Sequence, residues 1–170
     1  MASLAYASRI RPGTTKRIVA AIVREDELGP YATGDTPEKM AGFWNTIIGA
    51  QPDFEPDKEC VCVVMLTSRL RTFAWHRVSL GTVSESSAHP REIFRPVILA
   101  AAHAFVVMHN HPSGDISPSS ADEQVTRRIK EAADLLQVRF LDHIIVSSSG
   151  RPAEPGMSPY FSFREAGVIS

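Results

Sequence analysis

His109 and His111 stand one residue apart in the segment HNHPSGDISPSSAD, and Asp122 follows the second histidine by eleven residues. Two imidazoles and a carboxylate are donor types that bind a divalent ion, and neutral imidazole is the commonest zinc ligand. On a strand, a spacing of two puts both rings on one face. The intervening Pro112, Gly114, Pro118 and four serines make a stiff, turning segment. Such a loop can hold a third ligand opposite the first two. Three protein ligands with one open position is the catalytic zinc pattern, not the structural one. A blander reading needs no metal: Ser119 caps a helix and Asp122 sits at its third position, beside the positive end of the dipole. That reading leaves unexplained why an apolar strand ends in two histidines.

The elements that must position these residues follow from pattern. AFVVMHNH is a short apolar run that predicts a buried strand, with the histidines at its C-terminal end. SADEQVTRRIKEAADLLQ predicts an amphipathic helix whose stripe is Val125, Ile129, Ala132, Ala133 and Leu136. VRFLDHIIVS predicts a further strand. Upstream, ECVCVVMLT (59–67) predicts a strand buried on both faces, and TFAWHRVSL a second, antiparallel to it. PREIFRPVILAAAH predicts a helix with Pro90 at its start and Glu92 in its first turn. TPEKMAGFWNTIIGA predicts a helix capped by Thr36, with Pro37 first and Gly49 at its end. KRIVAAIVRE (16–25) predicts a strand, residues 1–15 a loose tail, and Ser147–Pro159 a long loop. The organisation expected is a tail (1–15), a strand–helix extension (16–50) and a metal domain (51–170). Helices alternate with strands after residue 59, which implies an α/β fold with a sheet covered by helices. Ligands gather at strand ends in such sheets.

Composition narrows the field. Apolar residues are 44% and charged residues 22% of the 170, ordinary for a globular protein. A net charge of −1 gives no field that favours nucleic acid. No apolar run approaches a bilayer-spanning length, and no secretory signal is evident, so a cytoplasmic protein is expected. Cys60 and Cys62 are the only cysteines. Two apart on a strand, they face one way and bridge badly, which fits free thiols in a reducing compartment.

H-x-H, seven residues, then S-x-x-D resembles the metal signature of the JAMM (JAB/MPN) metallo-isopeptidases. Together with HPREIF and LDHIIV, HNHPSGDISPS resembles the RadC-like branch of that family, from about Glu59 to the C-terminus. The resemblance implies a three-layer α/β fold with a mixed central sheet between helices. It implies zinc held by His109, His111 and Asp122, and a Ser119 that stabilises an oxyanion. It also implies an upstream glutamate as general base. Glu59, Glu85 and Glu92 compete, and the placement of Glu59 matches best. His143 in LDHIIV is a metal-supporting residue or, as the safer reading, a core histidine paired with Asp142. Fewer than sixty residues precede Glu59 and read as one strand and one helix, so the helix-hairpin-helix region of the usual RadC pattern is not expected among them.

The function expected is a zinc metalloprotease or isopeptidase acting on a peptide or protein. Two alternatives stand beside it: a nucleic-acid protein of repair or mobile elements, and a metal-binding scaffold without turnover. Arg127, Arg128 and Lys130 are diluted by Glu123 and Glu131, so weak duplex binding at most is expected.

Overall fold

A computed structural model describes residues 33–81, 89–147 and 158–169. The tail, the strand at 16–25, Glu85 and most of the long loop before Pro159 fall outside these residues. In chain order come α1 (Pro37–Phe43), a π-helical turn (Trp44–Ile48), β1 (Cys60–Leu66), β2 (Thr72–Leu80), α2 (Pro90–Leu99), β3 (Ala104–His111), α3 (Ser120–Leu136), β4 (Arg139–Ser147) and β5 (Tyr160–Ser162). The sheet order is β2-β1-β3-β4-β5. Among the described strands only the β3–β4 pair is parallel; the other three pairs are antiparallel.

Strand alternation divides the core in two. Cys60, Cys62, Val64 and Leu66 of β1 face α1 and the π-helical turn, where Met40, Phe43, Trp44 and Ile48 pack. Val61, Val63 and Met65 face the other way, onto Ile93 and Val97 of α2 and Ile129 and Ala133 of α3. The result is a mixed sheet between helix layers, the α/β architecture the sequence predicts. Thr36 caps α1 and Pro37 opens it. The cysteines are free and buried, with sulfurs 3.7 Å apart. One part of the α3 stripe differs: Leu136 is 46% exposed, and Thr126 is buried in the stripe with Asp122, Ile129 and Ala133. The helix ends at Gln137, whose left-handed backbone turns the chain toward β4 and leaves Leu136 outside. No described helix is long and apolar enough to cross a membrane.

The parallel β3–β4 pair positions the site. A parallel pair needs a crossover, and α3 supplies it. The start of α3 therefore lies beside the C-terminal end of β3, where His109 and His111 are. Phe105 anchors the start of β3, edge-on to Phe94 of α2 and stacked on Phe140 of β4. It is fully buried. Phe105→Ala should lower unfolding free energy by about 3–5 kcal/mol with an unchanged denaturant slope. Urea titration checks this, and a loss below ~1 kcal/mol would contradict the packing described.

Candidate metal centre

His109 and His111 share a face of β3, and α3 brings Asp122 to them from its first turn. His109 Nε2 lies 3.0 Å from His111 Nε2. Asp122 Oδ1 is 3.3 Å from the first nitrogen, and Oδ2 is 3.6 Å from the second. These three residues form a group that could hold a metal ion. Donors at ~2.0–2.1 Å from a tetrahedral zinc stand about 3.3 Å from one another, so the observed separations fit three of four vertices.

The hydrogen bonds behind the rings decide which nitrogens are bare. His111 Nδ1 is 2.6 Å from the carbonyl oxygen of Asp115. A carbonyl only accepts, so Nδ1 carries the proton and, in the neutral ring, Nε2 is a lone pair. The turn that delivers this carbonyl passes through Gly114 at φ +82°, a backbone region that disfavours side chains. For His109 the chain of bonds is longer. Thr126 Oγ1 donates to the Asp122 carbonyl at 2.6 Å, so it accepts from His143 Nδ1–H, also at 2.6 Å. His143 Nε2 is then bare and accepts from His109 Nδ1–H at 2.9 Å. His109 Nε2 is left bare in turn. Burial, with the neighbouring His109, holds His143 well below the ordinary histidine range, and burial holds His109 at about 4, so both rings are neutral. Two lone pairs and a carboxylate thus converge on one point, an arrangement that a cation resolves.

His143 consequently supports the site, and its pairing with Asp142 is corrected. The β3–β4 register shifts between Phe105 and Val106, so Val106 pairs with Asp142 and Val107 with His143. Val106 belongs to the α1 face and Val107 to the α3 face. Asp142 therefore points toward α1, where it accepts from Ser162 Oγ at 2.6 Å and Arg164 N at 2.9 Å.

Ser119 and Asp122 also form the capping arrangement that the sequence allows. Ser119 N donates to Asp122 Oδ2 at 2.7 Å, and Asp122 N donates to Ser119 Oγ at 3.2 Å. The Ser119 hydroxyl also donates to Oδ2, at 2.6 Å. Capping and convergence on the histidines are thus compatible in one carboxylate. Burial pushes the Asp122 carboxyl up, but the neighbouring His111 and His109 imidazoles and the Ser119 bonds together hold it well below the carboxylate range. The neighbouring Asp122 carboxylate raises His111 against the effect of burial.

A small cavity of about 20 Å³ adjoins the group, lined by Glu59, Val61, His109, Asp122, Val125 and His143 among others. Space of ~10–15 Å³ admits one water. Glu59 is the one glutamate among the described residues lining it. Glu92 is in the first turn of α2, paired with Arg95. Sequence reasoning passed over Thr126, the Asp115 carbonyl and Asn110. Thr126 lies one helical turn beyond Asp122, and a polar residue in an apolar stripe is the signal that finds it.

A family profile described as the RadC-like JAB domain matches residues 35–168. Among curated relatives, a UPF0758 protein of Chlorobaculum parvum is 42% identical over 131 residues, covering 72% of this chain and 55% of its own length. One of Thermotoga maritima is 41% identical over 133 residues, covering 78% and 56%. One of Chlorobium phaeovibrioides is 38% identical over 166 residues, covering 96% and 69%. The chain spans about half the length of the first of these relatives.

The buried imidazoles tie stability to pH. Folded His109 and His143 bind protons less readily than the unfolded chain, whose histidines titrate near 6.5. Stability should therefore fall as pH drops from about 6.5 to about 4, with His109 alone contributing on the order of 3 kcal/mol. His111 acts oppositely, since its raised value adds stability that is complete at acid pH and is lost as pH rises. Two fully buried rings outweigh one partly buried ring. Urea unfolding of chelator-treated protein across this window should show the decline, smaller in His143→Gln; a flat profile would contradict it.

Proposed function

The chain belongs to the family of RadC-like JAB domains, and on that premise we propose that it is a zinc-dependent hydrolase of peptide or isopeptide bonds. The observation that carries this is the convergence of two bare imidazole nitrogens and a carboxylate beside a cavity that Glu59 also lines. His109 Nε2, His111 Nε2 and Asp122 would hold the ion. Zinc with an open position lowers the pKa of a water to about 7 and polarises a carbonyl. Glu59 stands outside the ligand group. Its carboxylate takes a proton during attack and returns it to the leaving amine. Ser119, whose hydroxyl rests on Asp122, orients that ligand and on rotation supplies a hydrogen bond to the developing oxyanion. The substrate is a peptide or protein, and the free Cys60 and Cys62 suit a cytoplasmic setting.

Zinc measured on purified protein should approach one per chain and be lost in His111→Ala. Equal, stoichiometric zinc in both would refute the ligand set. Glu59→Gln should keep the metal and the melting temperature. Its turnover in a screen of peptide and isopeptide substrates should fall about 10²–10⁴-fold, the usual worth of general acid–base catalysis. Binding of substrate should change far less, because the lost interaction belongs to the transition state.

A further inference from the structure

Asn110 separates the two histidines and alternates to the opposite face of β3, where it is fully buried. The functional reading gives it no task. Its bonds point elsewhere. Oδ1 accepts from Cys60 N at 2.8 Å, and Nδ2 donates to the Lys58 carbonyl at 3.0 Å. The two backbone groups it holds bracket Glu59.

The ladder between β1 and β3 explains why a side chain is needed there. It runs from Leu66↔Ala104 to Val61↔His109 and stops. Continued, it would set Cys60 against Asn110 and Glu59 against His111. In its place the Asn110 amide offers one acceptor and one donor, the complement a strand backbone would offer. On the other side, the Glu59 carbonyl accepts from Gly81 N at 2.9 Å. The backbone around Glu59 is thus held from both sides. Alternation puts the Glu59 side chain on the face of Val61 and His109, where it lines the cavity.

We propose that Asn110 is a positioning residue that aims the Glu59 carboxylate at the metal cavity. The inference rests on the reading of Glu59 as general base. An aspartate has the shape of asparagine but two acceptors. Asn110→Asp would keep the bond from Cys60 N and set an oxygen against the Lys58 carbonyl, freeing one side of the bracket.

The test uses the full chain loaded with cobalt(II) in place of zinc, whose visible spectrum reports the ligand set and, through its pH dependence, the group beside the open position. Glu59→Gln, Asn110→Asp, Asn110→Ser and the Glu59→Gln/Asn110→Asp double variant are compared with the parent. Expected are one cobalt per chain in all, a displaced pH profile in Glu59→Gln, and displacement in the Asn110 variants. The double variant should match Glu59→Gln alone, because an effect that acts through Glu59 vanishes once Glu59 is changed. A merely structural role would move the melting temperature and leave the profile in place. A profile displaced by Glu59→Gln but not by either Asn110 variant would overturn the Asn110 inference alone, as would additive effects in the double variant. A profile that Glu59→Gln leaves unmoved would overturn the general-base reading and this inference with it. Failure of both Asn110 variants to fold would also overturn it, since the amide would then be holding the fold and not aiming one side chain.

Discussion

Two imidazole lone pairs and a carboxylate face one another across little more than 3 Å, and the rest of the fold can be read as what makes that arrangement hold. Left to themselves, the rings would turn or share a proton. They are fixed from behind: His111 by a backbone carbonyl, His109 by a histidine that is itself fixed by a threonine. The Thr126 hydroxyl can set the whole line of protons because its own proton goes to the Asp122 carbonyl. One helix thus carries Asp122 and, one turn later, the residue that orients the His109 ring. This is the arrangement in which a ligand's second nitrogen donates to a supporting acceptor, which fixes the ring and raises its basicity.

Much of this was legible in the chain. The buried strands, the capped helices and the H-x-H to Asp122 spacing depend on neighbours in sequence, where periodicity and capping act. The sheet between helices followed from their alternation. The role of His143 was not legible. Counting by two along an unbroken β4 cannot tell whether Asp142 or His143 meets the site face. The answer turns on a one-residue shift in register near Phe105, and such a shift exchanges the two faces of a strand. Leu136 was misplaced for a related reason: helical periodicity assigns a face but does not say where the sheet beneath it ends.

Face alternation also reconciles an apolar core with a polar site. Along β3, Phe105 and Val107 precede His109 on the α3 side, while Val106 and Met108 precede Asn110 on the other. The α3 face remains apolar until its last two positions, His109 and His111, and the other until its last, Asn110. Polar side chains enter only at the strand end, each with partners already in place. An unsatisfied buried polar group costs about 1–3 kcal/mol, so three such residues in succession would be a heavy burden unless the surroundings met them. On one face His143 of β4 meets His109 and the Asp115 carbonyl meets His111, and on the other the beginning of β1 meets Asn110.

The antiparallel β1–β3 pairing brings Glu59 within reach of histidines fifty residues away. In such a pair, moving back along one strand means moving forward along the other, so the start of β1 must lie beside the end of β3. Val61 is opposite His109, and two steps outward from that pair are Glu59 and His111. Both pairs share a face, because two steps along a strand restore the side. The cavity lies on that shared face, between the strands and α3. A ladder ending two pairs sooner would leave Glu59 on an untethered loop. With the ladder ending at Val61↔His109 and the Asn110 amide extending it by a side chain, the backbone that carries Glu59 is held at the cavity wall.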